Sequence, residues 1–160
     1  MNNLKVQTGL NIILIVSIIS LISAYFIEYV LGHKPCNLCL IERIPYGLSI
    51  LLVISNLIFK DREKLIILLL FLSFIFSLVI SIYHFGIEKG FFEESAICTM
   101  KNTTEILSKE QLLEQLQEKI ISCKDVTFRF FGFSLTTINI IVSLMLSFLL
   151  IKIYKNYEKY

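Results

Sequence analysis

The sequence predicts an all-α membrane protein: a bundle of four transmembrane helices, with one short amphipathic helix in a long outer loop. Three observations lead there. The 160-residue chain is 56% hydrophobic, against roughly 45–50% in soluble domains. It holds four apolar runs, at about 10–31, 40–59, 65–85 and 134–153. Each approaches the ~20 residues that a helix rising ~1.5 Å per residue needs to cross a ~30 Å hydrocarbon core. The short connections also alternate between cation-rich and cation-poor. A single domain, residues 1–160, accounts for all three.

Each run reads as a helix because lipid cannot satisfy exposed backbone groups. The first, Leu10–Leu31, is interrupted only by Glu28 near its outer end. Its apolar stretch exceeds the ~7–15 residues of a signal core, and no small-x-small cleavage site follows, so it is expected to be retained as a signal anchor. The second, Leu40–Phe59, opens with Glu42 and Arg43. Pro35 precedes it, where a missing N–H costs nothing, and Pro45 either kinks this helix or marks its start. The third, Leu65–Phe85, carries no formal charge beyond that of His84. Gly86 and Gly90 offer stops for it, and Phe91 and Phe92 suit the membrane interface. The fourth runs from Ser134 to Ile153.

The formal charge is only +2, but its placement is informative. Lys5, Lys60, Arg62, Lys64, Lys152, Lys155 and Lys159 lie on the two termini and the connection between the second and third runs. The first connection holds only Lys34. By the positive-inside rule, both termini and the Lys60–Lys64 connection face the cytoplasm. The loops at about 32–39 and 86–133 then face outward, and all four cysteines fall in them. Outside a bacterial inner membrane, the expected location, disulfides persist. In the long loop, Ser108-x-x-Gln111 has the form of a capping box and predicts a helix over about 109–122. Leu112, Leu113, Leu116, Ile120 and Ile121 share one face of it. At ~21 Å it is too short to span and is expected to lie on the outer membrane surface or pack across the bundle's outer end, unless it is simply a soluble amphipathic hairpin helix. The bilayer is an expected partner and nucleic acid is not.

The chemistry concentrates in Lys34–Arg43, KPCNLCLIER. A Cys-x-x-Cys pair suits redox exchange, half of a zinc site, or a passive bridge. Cys36 and Cys39 sit at a predicted helix N-terminus, where unpaired N–H groups and the helix dipole favour a thiolate. Cys98 and Cys123 are 25 residues apart with no close cysteine partner, unlike a zinc ribbon. They form either a structural bridge or an exchange pair. Arg43 follows Cys39 by four and shares its helix face. There it serves a thiolate or a ligand carbonyl, or it snorkels or pairs with Glu42 or Glu28. His84, at the outer end of the third run, is either a structural histidine or part of the same pocket.

Three stretches taken together carry a resemblance. They are Cys36-Asn-Leu-Cys39-Leu-Ile-Glu-Arg43, Tyr83-His84-Phe-Gly-Ile-Glu88-Lys-Gly90, and Cys123 followed by Phe128-Arg129-Phe-Phe-Gly132-Phe-Ser134. With four helices and two later outer-loop cysteines, they resemble the disulfide-bond-formation protein B (DsbB) family of bacterial inner-membrane thiol oxidases over essentially the whole chain. The resemblance implies two redox disulfides, Cys36–Cys39 and Cys98–Cys123. It implies that a reduced periplasmic thioredoxin-like oxidase of the DsbA type attacks the second, at Cys98. Exchange with Cys36–Cys39 would follow, and Cys39 would pass electrons to a membrane quinone, ubiquinone or menaquinone. Arg43 matches the family arginine that supports the quinone, and His84 is carried over to the same pocket. No metal is implied. Phe128 stands where the family often has tryptophan.

Overall fold

The computed structural model describes residues 2–58, 62–95, 98, 122–124, 128–130 and 132–158. Four long helices make up nearly all of it: α1 (Asn2–Tyr29), α2 (Asn37–Ile58), α3 (Glu63–Glu88) and α4 (Leu135–Glu158). All four are long and apolar enough to cross a membrane. They run alternately up and down, α1 packing on α2, α2 on α3, α3 on α4 and α4 back on α1. A two-residue ladder precedes α4: β1 (Arg129–Phe130) pairs antiparallel with β2 (Phe133–Ser134), and Gly132 turns between them at φ +85°. The sequence reading did not anticipate this hairpin. The helix expected at about 109–122, with its capping box and apolar face, lies outside the described residues except for Ser122.

The bundle is patterned for lipid. Ile15, Ile22, Leu51, Val79 and Met145 point outward and exposed, while small hydroxyl residues are buried. Between α3 and α4, which share the largest interface, Ser73, Ser77 and Ser81 recur every four residues and face the partner helix of Ser143 and Ser147. The Ser77 and Ser143 hydroxyls meet at 3.0 Å. Small residues let helix backbones approach where no hydrophobic drive separates helix from lipid. Toward the ends that carry both chain termini, Leu10, Ile13, Val53, Ile67, Leu70, Phe74 and Leu150 fill the core.

Helix ends differ from the expected span bounds by between one residue and about two turns, and three of the differences have local reasons. α1 stops at Tyr29, and the chain leaves it through Gly32 at φ +72°. α3 continues past Gly86 to Glu88. The Phe91 N–H bonds the Gly86 carbonyl at 2.8 Å, and the Gly90 N–H bonds that of Ile87 at 3.0 Å, with Gly90 at φ +75°. That is a Schellman ending, so Gly90 is the stop. Gly86 is instead small because the Phe92 ring packs where its Cβ would be. Pro45 lies inside α2, buried, and does not mark its start.

Candidate redox site

α2 begins with its first cysteine as the cap. The Leu40 N–H bonds the Cys36 carbonyl at 3.2 Å, and the Cys39 N–H points at the Cys36 sulfur at 3.4 Å. A sulfur thus takes the place of the oxygen that Ser or Asp offers at an N-cap. Position and partners both favour negative charge on it. The two sulfurs, both free, lie 2.8 Å apart. The hydrogen bond from Cys39, with His84 beside it, outweighs burial and brings the Cys36 thiol down from 9.0 to about 5. In reduced protein, Cys36 is therefore a thiolate above about pH 5 and a thiol below it. Alkylation of the Cys36 peptide by a small reagent, followed by mass spectrometry, is expected to fall off near that pH. A midpoint near 9 refutes the assignment.

His84 comes from α3 and is only 2% exposed. Its Nε2 lies 3.5 Å from the Cys36 sulfur, and its Nδ1–H donates to Glu42 Oε1 at 3.0 Å. Asn139 of α4 donates through Nδ2 to Glu42 Oε2 at 3.0 Å and to the Ser81 hydroxyl at 2.7 Å. The Tyr46 hydroxyl donates to Asn139 Oδ1. Thr136 donates to Glu88 Oε1 at 2.6 Å and lies 3.3 Å from His84 Nδ1. Three helices thereby converge on the imidazole, and every named polar side chain has a partner. Such networks hold one geometry when complete.

Cys39 is half-buried, whereas Cys36 is buried. One turn along the same face, Arg43 pairs with Glu28 of α1 and lies 5.0 Å over the Tyr25 ring. Tyr25 in turn stacks on Tyr29. Tyr25, Tyr29, Leu40 and Ile44 are all exposed around it. This outer face offers a cation, flat rings and apolar surface beside a sulfur, which suits a planar, lipid-soluble carbonyl compound. His84 faces the interior, on the Cys36 side of the pair.

The second cysteine pair is a disulfide, Cys98–Cys123, with Cα atoms 5.7 Å apart. It is buried in one apolar cluster with Cys36, Leu38 and Ile87, against which Cys39, Ile41, Ile80 and Tyr83 pack. Glu94 clamps the Cys123 arm, accepting from the Ser122 hydroxyl and from the Lys124 N–H at 3.1 Å. These bonds hold its carboxyl below the usual range. Phe128 packs on the His33 ring of the loop between α1 and α2 at 5.3 Å.

The structure thus brings all four cysteines and His84 together, with Arg43 on the adjoining outer face. Sequence reasoning gave Glu42 only as a partner for Arg43 and passed over Asn139, Thr136 and Glu88. The available signal was polarity: a carboxylate and an amide inside apolar runs are rare without a role.

Comparison with known proteins gives two matches. A curated protein of Rickettsia prowazekii (strain Madrid E), described as uncharacterized, is 33% identical over 140 residues, covering 86% of this chain and 81% of its own. No solved structure matches. The family model described as disulfide bond formation protein DsbB matches residues 7–153, and with that match the four-helix chain belongs to the DsbB family of membrane disulfide-bond-formation proteins.

Proposed function

We propose that this protein is a membrane thiol oxidase. It reoxidises a periplasmic DsbA-like dithiol protein and delivers the electrons to a membrane quinone, sustaining disulfide formation in periplasmic proteins. The observation that carries the reading is the shared buried cluster of the Cys98–Cys123 disulfide and the free Cys36–Cys39 pair. Two sulfur pairs within one cluster, one oxidised and one reduced, support an exchange between them. The distribution of cations supports termini on the cytoplasmic side and cysteines on the periplasmic side.

The chemistry follows from the sulfurs. A partner thiolate attacks Cys98, forming a mixed disulfide and releasing Cys123 as thiolate. The partner's second thiolate then closes its own disulfide and frees Cys98. The reduced loop pair attacks an oxidised Cys36–Cys39 pair, which restores Cys98–Cys123 and leaves the Cys36 and Cys39 sulfurs reduced, as they are in this structure. Thiolate character at the N-cap, and His84 Nε2 positioned to take the Cys36 proton, poise the pair for reoxidation. Glu42 holds the imidazole by its far nitrogen. Cys39, the more exposed residue of the pair, faces the bilayer with Arg43. Arg43, Tyr25 and Tyr29 would hold a quinone, which would supply the two-electron acceptor. Nothing in the scheme calls for a metal.

The test is a stopped-flow reaction of purified protein with a reduced thioredoxin-fold dithiol protein, with and without a short-chain ubiquinone or menaquinone. Oxidation of the dithiol with matching loss of quinone absorbance is expected. A dithiol that stays reduced beside unreacted quinone refutes the reading.

A further inference from the structure

We infer that Cys36, Cys39 and His84 also form a binding site for a thiophilic cation of the zinc class, a site that exists only while the cysteine pair is reduced. The ligand atoms, two sulfurs and an imidazole nitrogen, all lie within 4.8 Å of one another. Zinc bonds thiolate at ~2.3 Å and imidazole at ~2.0–2.1 Å. Three such ligands around one ion sit closer together than that bound, so side-chain rotation within the site accommodates the ion.

The surroundings independently favour a metal. His84 directs Nε2 at the sulfurs because its Nδ1–H is engaged by Glu42 Oε1 at 3.0 Å. Glu42 is itself fixed through its second oxygen by Asn139. A carboxylate on the far nitrogen fixes the tautomer of a ligating histidine and raises its basicity. The Cys39 side of the site is half-buried, leaving room for an exchangeable fourth ligand. Among the described residues, no other group of His, Cys, Asp and Glu side chains has this spacing.

The inference goes beyond the oxidase reading and does not require it. Binding exchanges protons for metal: the reduced site holds two protons, one on Cys39 and one passed from Cys36 to His84, and Zn²⁺ displaces both to give a zinc dithiolate and two H⁺, with His84 as the neutral third ligand. Forming the Cys36–Cys39 disulfide takes two electrons from those sulfurs, destroys two ligands and expels the ion. In the proposed reaction the quinone is the acceptor of those electrons. Zinc would thus arrest the reduced protein, and oxidation would release it.

The experiment uses the full chain in detergent, reduced and then freed of reductant without oxygen. Cys98→Ser/Cys123→Ser protein removes the loop thiols as competitors. Titration with Zn²⁺ is expected to load one ion per chain by elemental analysis and to protect both remaining thiols from alkylation. Co²⁺ is expected to give sulfur-to-cobalt charge-transfer absorption. Both signals should vanish once the pair is oxidised. Glu42→Gln should weaken binding by about 10–100-fold, and His84→Ala by at least that. Substoichiometric zinc, retention by the oxidised protein, or unchanged affinity in folded His84→Ala protein would each overturn the site. The cobalt spectrum of the unsubstituted chain, reduced against oxidised, decides the matter if the variants do not fold: no sulfur-to-cobalt band in the reduced chain refutes it.

Discussion

Cys39→Ser is expected to abolish quinone-coupled oxidation of the partner dithiol, with a loss on the order of 10³-fold or more. Serine cannot form a disulfide, so Cys36 would have no sulfur with which to pass on an electron pair. The structure also predicts what survives. Cys98–Cys123 would remain a disulfide, since it is built from the other two cysteines and clamped by Glu94. Reduced partner should therefore still form a mixed disulfide with Cys98, visible as a covalent complex on a non-reducing gel. Cys36→Ser should stop turnover equally, although a serine hydroxyl at this N-cap can still accept from the Cys39 N–H. Loss of turnover in both variants with capture intact assigns the first pair to electron delivery and the loop pair to the partner. Wild-type turnover in either variant removes the Cys36–Cys39 pair from the mechanism.

Much of this architecture could be read directly because lipid simplifies the reading. A helix in hydrocarbon needs length and apolarity, and the runs around Leu10, Leu40, Leu65 and Ser134 have both. Their ends were less legible. α3 extends to Glu88 because the carbonyls of Gly86 and Ile87 are satisfied by the Schellman turn, whose form depends on backbone angles at Gly90. The cysteines stood out by type and spacing. Their gathering into one cluster with Leu38 and Ile87 did not, because Cys98 and Cys123 stand far from Cys36 in the sequence and no local pattern links them. The histidine network was hidden for a related reason. His84 and Glu42 are 42 positions apart, and Asn139 and Glu42 are 97 apart. No local period links residues on three helices. Polar groups inside apolar runs marked each member singly, and only packing shows that they meet.

The network's completeness makes Glu42→Ala the most damaging single change predicted for stability. Glu42 accepts from His84 with one oxygen and from Asn139 with the other. Alanine leaves a buried imidazole N–H without its carboxylate and frees the Asn139 amide from one of its two acceptors. Removing one partner of a buried ionic pair typically costs about 3–5 kcal/mol, because the remaining group keeps its desolvation penalty. Glu42→Gln should cost less, about 1–3 kcal/mol. A glutamine oxygen can still accept from one neighbour, but its new NH₂ meets a donor on the other side. Double substitution Glu42→Ala/His84→Ala should cost clearly less than the sum of the single changes, since groups in one network couple by about 0.5–3 kcal/mol. Denaturant unfolding of the detergent-solubilised protein, followed by circular dichroism, measures all four. Strict additivity would mean that Glu42 and His84 stabilise the bundle independently, and the imidazole would then lose its fixed orientation toward Cys36. Coupling of the expected size would mean that the carboxylate, the imidazole and the sulfur form one positioned unit, held between α2, α3 and α4 by the same bonds that hold those helices together.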